Sequence, residues 1–186
     1  MVFAGALAVA LLLGPLAPAS PAGADRAEAA GLIAPKTKCP DHSARGGGRK
    51  VAQAKRSMLC LVNHARRRSG LRKYRVTSSL GWSAKKKARD ILRCRFSHTA
   101  CGRQFDFWIK RSGYIGRSGW AVGENIAWGS GSLGNVRSIF VAWMKSPGHR
   151  SAILDRVYRD VGVGVSQGTF EGYRGARVWV MHFGNR

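Results

Sequence analysis

The stretch Ser146-Pro147-Gly148 constrains this chain more than any other, because it stops a helix at a fixed point. Before it, Ile139, Phe140 and Trp143 recur at helical spacing; directly after it come His149 and Arg150. Proline lacks a backbone donor and glycine tolerates unusual φ, so the pair breaks the helix and turns the chain. A titratable histidine just past such a break can be aimed into a cleft in a way a helix face does not allow.

The elements around that break define an α+β domain. From Lys50 to Ser69, Val51, Ala54, Met58, Leu61, Val62 and Ala65 recur at helical spacing, and Gly70 closes the helix. Its other face shows Lys50, Lys55, Arg56 and Arg66-Arg67-Arg68. A second helix opens at Ser78 or Ser79 and turns Leu80, Ala84, Ala88 and Ile91 inward, with Lys85-Lys86-Lys87 and Arg89 largely outside. A short helix carrying Phe105, Phe107, Trp108 and Ile109 ends at Gly113. Residues 120–128 read as a strand, and Gly129-Ser130-Gly131-Ser132 turns into the helix that carries Trp143. Val161 to Val165 alternates apolar residues with glycine, and Arg177 to Phe183 is a mostly apolar strand. The loop from Gly168 to Gly175 makes these two an antiparallel pair. Helices before and between few strands predict helices packed on a small sheet. The six tryptophans (Trp82, Trp108, Trp120, Trp128, Trp143, Trp179) read as core or cleft wall.

Residues 1–24 carry no charged side chain and begin with an apolar run, Val2 to Leu13, too short to span a bilayer comfortably. With Ala22-Gly23-Ala24 as a small-residue cleavage site, they read as a secretory signal. Residues 25–49, with Pro35, Pro40 and three consecutive glycines, read as a flexible linker, and residues 50–186 as the domain. Four cysteines fit export as disulfides. Cys94 and Cys101 are the local pair, and Cys39 and Cys60 pair by elimination, one of three possible connectivities. A cysteine zinc site is disfavoured because no C-x-x-C pair exists.

Charge sets the partners to consider. The net charge is +23, from 32 basic and 9 acidic residues. It is uneven, with 20 Lys and Arg against four acids in residues 25–97. Such a field draws a protein to polyanions in a salt-dependent way. Outside the cytoplasm these are anionic envelope polymers, acidic lipids or nucleic acid. The basic runs lack interleaved aromatics, and no zinc-finger or RNP-type signature is present. Sequence-specific nucleic-acid recognition is therefore not expected, and a non-specific polyanion or nucleic-acid binder is the third reading.

His98, Glu124 and His149 are the candidate site residues. Each stands at a break beside apolar sequence: after Phe96-Ser97, within Gly123-Glu124-Asn125, and after Pro147-Gly148. Two imidazoles and a carboxylate suit a divalent metal such as zinc, or an acid and a base in hydrolysis. About 25 residues separate neighbours, and no His-Glu-x-x-His helix is present. Spacing alone therefore favours Glu124 pairing with one histidine to pin a turn to the sheet.

Several motifs occur in a fixed order: Asn63-x-x-Arg66-x-x-x-Gly70-Leu71, Phe96-Ser97-His98, Gly123-Glu124-Asn125-Ile126-Ala127, and Trp143 to Leu154. With Gly162-Val163-Gly164 and the terminal aromatic strand, residues 52–184 resemble the CAP superfamily, or SCP-like extracellular domain, in its bacterial branch. The resemblance implies an α-β-α sandwich with a small central antiparallel sheet and a cleft lined by two histidines and two acids. His98 matches the first histidine, Glu124 the first acid and His149 the second histidine. Ser146 stands where the second acid falls, which leaves at most three matching ligands. Ser146 and Asn125 join the expected cleft.

The resulting expectation is an exported, monomeric binding protein without a membrane span in its mature form. Its partner would be a lipid or other small hydrophobic ligand, an anionic envelope polymer, or another protein. The alternative is a metal-dependent, peptidase-like hydrolase using His98, Glu124 and His149, although no G-x-S-x-G motif supports it.

Overall fold

The computed structural model of the protein describes residues 31–41, 48–116 and 119–186. The expected signal and much of the expected linker lie outside them. Helix α1 (Gly48–Arg68) is followed by a two-residue strand β1 (Arg75–Val76), helix α2 (Ser78–Arg93) and the short α3 (Phe107–Arg111). Strand β2 (Ala121–Gly129), helices α4 (Val136–Lys145) and α5 (Pro147–Leu154), and strands β3 (Asp160–Phe170) and β4 (Tyr173–Asn185) complete the fold. The sheet order is β1-β3-β4-β2. The three long strands are antiparallel, and β1 adds a two-residue parallel pairing on β3.

Strand β4 runs through the middle, and its successive side chains enter two different cores, as alternation in a strand requires. Trp179, Met181 and Phe183 pack with Met58 and Leu61 of α1, Phe140 and Trp143 of α4, and Ile153 of α5. Val178 and Val180 pack on the other face with Ala84, Ala88 and Ile91 of α2. The terminal run reads as continuously apolar because both of its faces are covered. Truncating the fully buried Trp143 or Trp179 to alanine costs about 3–5 kcal/mol.

The glycines of β3 set the depth at which α2 lies. A Cβ on Gly162 would stand 2.1 Å from backbone atoms of Leu80 and Gly81, and one on Gly164 2.2 Å from Ala84. Helix α2 starts under Thr77, whose hydroxyl accepts from the Leu80 N–H.

Five expectations are corrected. Residues 31–41 are docked rather than a loose linker: Leu32, Ala34 and Cys39 are buried, and Arg137 donates to the carbonyls of Ala34 (2.7 Å) and Cys39 (2.8 Å). The expected loop at residues 168–175 is mostly strand. Its turn is the pair Glu171-Gly172, both at positive φ (47° and 78°), which matches the twist of a tight hairpin. The break at Pro147 ends α4 but opens α5, with proline in its first turn, so His149 lies on a short helix. Arg66 and Lys87, placed on outer faces, are 2% and 1% exposed. Lys87 follows Leu80 by seven residues and Ala84 by three, so helical phase puts it on the apolar stripe despite its basic neighbours.

Both cysteine pairs form, Cys39 with Cys60 and Cys94 with Cys101. The first ties the docked segment to α1; the second closes the loop that carries His98. Trp128, Trp143 and Trp179 are buried, whereas Trp82 and Trp120 are exposed.

Candidate functional site

Strand β2 is one edge of the sheet, and its residues 124 and 125 point to opposite faces. Glu124 faces the α2 layer with Ile126 and Trp128; the Asn125 side chain donates to the His149 carbonyl in α5 at 3.0 Å. Through Glu124 and Asn125 the strand holds His98 on one side and His149 on the other.

Glu124 is enclosed by basic groups. His98 Nδ1 donates to its Oε1 at 2.7 Å, and His182 Nε2 donates to its Oε2 at 2.8 Å. Lys87 Nζ stands 3.9 Å from Oε1 and donates to the His98 carbonyl. The Glu124 side chain is 1% exposed. Burial by itself would raise its pKa, but the hydrogen bonds from His182 and His98, with the charges of His182 and Lys87, outweigh that and hold it below the ordinary value. Burial lowers the pKa of Lys87, opposed by Glu124 and Asp90.

Behind this carboxylate, His182 Nδ1 lies 2.8 Å from Ser83 Oγ, and the same hydroxyl donates to the Leu80 carbonyl at 3.0 Å. The order Ser83, His182, Glu124 has the connectivity of a nucleophile, base and acid. Ser83 and His182 are fully buried, so no substrate reaches them and the chain of hydrogen bonds is structural.

On the other side of β2, His149 Nδ1 lies 2.7 Å from Ser146 Oγ. Burial, with the charge of His98 second, depresses its pKa to about 4, so it is neutral near pH 7. Thus the structure joins His98 to Glu124 directly, and His149 to the next residue of the same strand, Asn125, through its carbonyl.

The family cleft raises the question of a metal, and Glu124 is not free to serve as one of its ligands. Both Glu124 oxygens are taken by imidazole nitrogens, an ammonium group stands beside Oε1, and Ser146 supplies a hydroxyl in place of a carboxylate. Among the described residues no group of three His, Cys, Asp or Glu side chains is arranged to hold a metal ion. Glu124 thus belongs to a hydrogen-bonded cluster in which His98, His182 and Lys87 take the places around the carboxylate.

Sequence reasoning missed His182, Lys87 and Ser83. Lys87 had a signal, its place on the apolar stripe of α2. His182 had a weaker one, a polar residue within the apolar run of β4.

A single sheet covered by helices on both faces, with an edge strand flanked by two histidines, defines a CAP-type domain. The family model described as the cysteine-rich secretory protein family matches residues 59–183, and the chain belongs to that family. It is similar to the uncharacterized protein YkwD of Bacillus subtilis (strain 168), with 29% identity over 132 residues that cover 70% of this chain. The match covers 49% of YkwD, so the chain spans about half the length of that relative. Among solved structures, it resembles an extracellular protein containing an SCP domain from Bacillus anthracis (TM-score 0.59, 19% identity, 77% of this chain and 45% of that one). It also resembles an outer surface protein of Borrelia burgdorferi (TM-score 0.56, 20% identity, 70% of this chain and 91% of that one). These likenesses show the fold. Among the described residues no helix is long and apolar enough to cross a membrane.

Proposed function

We propose that this CAP domain acts outside the cytoplasm as a binding protein for an anionic partner of the cell envelope. The observation that carries this reading is the enclosure of Glu124: a carboxylate 1% exposed, with both oxygens held, organises the fold around His98 and is not free to move protons for a substrate. The capacity to interact lies instead on the surface, where a net charge of +23 favours polyanions. The two structural relatives are an extracellular protein and an outer surface protein, which supports an extracytoplasmic setting.

Hydrolysis is the second reading, favoured by one observation. His98 Nδ1 is fixed on a carboxylate at 2.7 Å, the arrangement that orients a general base, and the His98 side chain is 21% exposed.

One preparation separates the two. The protein is assayed for bound metal, for peptide hydrolysis and for retention on anionic envelope material over a range of salt. The binding reading requires retention that weakens with salt and survives His98→Ala and His149→Ala. Cleavage activity lost in both variants, or retention indifferent to salt, would overturn it.

A further inference from the structure

The motif Asn63-x-x-Arg66-x-x-x-Gly70-Leu71 lies away from the histidines and builds a second feature. Its fold role is clear. Gly70, at φ 68°, ends α1, and the Leu71 N–H returns to the Arg66 carbonyl at 2.8 Å. Asn63 Oδ1 accepts from the Tyr74 N–H at 2.9 Å. The Arg66 guanidinium lies 3.7 Å from the Tyr74 ring centre and donates to four backbone carbonyls, of Arg72 (2.8 Å), Ile153 (2.8 Å), Asp155 (2.9 Å) and Tyr158 (3.3 Å). Arg66 thereby locks the α1–β1 loop to the α5–β3 loop.

Between those loops is a hollow of about 310 Å³ lined by Arg66, Gly70, Leu71, Arg72, Arg156 and Arg159. The motif accounts for Arg66 and Gly70 but not for the other three arginines. Arg72, Arg156 and Arg159 are exposed, and among the described residues no carboxylate lies within ion-pair distance of any of them. Asp155 borders the hollow, with Oδ1 turned to the Val157 N–H at 2.8 Å. The frame is preorganised: the Arg159 N–H donates to the Gly184 carbonyl and its own carbonyl accepts from Arg75. Guanidinium groups gathered on a fixed frame, with Asp155 the counter-charge at its edge, form an oxyanion site, because their planar forks match phosphate oxygens.

We infer that this hollow binds a phosphodiester group of a soluble anionic polymer. The inference rests on the binding function proposed above and gives it a site and a chemistry. Groups arriving from two loops surround a tetrahedral oxyanion more completely than a planar carboxylate. The volume equals about ten waters at ~30 Å³ each, more than one phosphate fills, so the chain on either side of it is accommodated. Leu71 is the one apolar side chain of the lining, which gives an acyl chain or a bilayer little to rest on.

The test measures affinity for poly(glycerol phosphate) of defined length at fixed low salt, with polyglutamate of equal charge and phosphatidylglycerol vesicles as comparison probes. Wild type is compared with R72Q/R156Q/R159Q and with the charge-matched K85Q/R89Q/R93Q on α2; all six residues are exposed, so both variants are expected to melt like wild type. The expected result is a loss of about tenfold or more for poly(glycerol phosphate) in the first variant and a much smaller loss in the second. Equal losses in both variants would overturn the site and leave general polyanion binding standing. Failure of wild type to bind any of the three probes would remove the function as well. Polyglutamate held as tightly as the phosphate polymer would overturn the phosphodiester assignment, and vesicles bound while the soluble polymer is not would overturn the soluble polymer as its source.

Discussion

Glu124 and His182 stand directly opposite each other in the β2–β4 ladder, and His182 Nε2 donates to Glu124 Oε2 at 2.8 Å. This cross-strand bond anchors the ionisable cluster to the sheet. Lys87 reaches the same carboxylate from α2, and His98 reaches it from the disulfide-closed loop. One carboxylate therefore fastens three separate elements.

Removing that carboxylate leaves Lys87 buried without its nearest counter-charge. Glu124→Gln is expected to destabilise by about 3–5 kcal/mol, the usual cost of breaking a buried ion pair from one side. Lys87→Met in the same chain should recover part of the loss, because it removes the orphaned charge. Denaturant unfolding of both single variants and the double variant measures the coupling. Purely additive losses would show that the two side chains do not act as a unit.

Two groups shape the acid limb of stability, in different pH windows. The pKa of His149 is lowered on folding, to about 4 from 6.5. Between these values the unfolded chain binds more protons, so stability falls as pH drops from about 6.5 to about 4. Glu124 is also lowered on folding, from 4.5, so its contribution is present above 4.5 and is lost as pH falls through its depressed folded value. His149→Gln should flatten the limb above pH 4 and leave the lower one. Unfolding midpoints against pH, with an NMR titration showing His149 still neutral at pH 5, check both statements.

Gly164→Ala is expected to cost about 3 kcal/mol or more, because its Cβ would stand 2.2 Å from the backbone of α2 and a helix cannot yield as a side chain does. As α2 is pushed from the sheet, Lys87 is drawn from Glu124. The ring NMR signals of His98 and His182 should shift along with the loss of stability. A variant that is destabilised while both rings stay unchanged would place the strain elsewhere.

The two disulfides should separate stability from site order. Replacing Cys39 and Cys60 by serine opens the longer loop and is expected to cost about 3.4 kcal/mol by chain entropy, against about 2.5 kcal/mol for Cys94 and Cys101. Yet the shorter loop carries His98. Amide exchange between residues 95 and 100 should therefore rise in the second variant and stay near wild type in the first.

What the sequence determined by itself was whatever depends on local period and order. Helical spacing located α1, α2 and α4, and the alternation around Gly162 and Gly164 located β3. Cysteine spacing pointed to the Cys94–Cys101 disulfide, with Cys39–Cys60 following by elimination, and the order of motifs identified the family. These are legible because each is set by neighbours within a turn or a strand. Register and layer assignment were not. Which face of β4 carries His182, and that Glu124 lies across from it, depend on how distant strands slide together; a shift of one residue would reverse every side chain. The same holds for Lys87 and Arg66. A run of basic residues reads as a solvated face until packing fixes which member the helix turns inward. Only the tertiary structure, by bringing a buried carboxylate to the one and four carbonyl acceptors to the other, decided that these two charges belong inside.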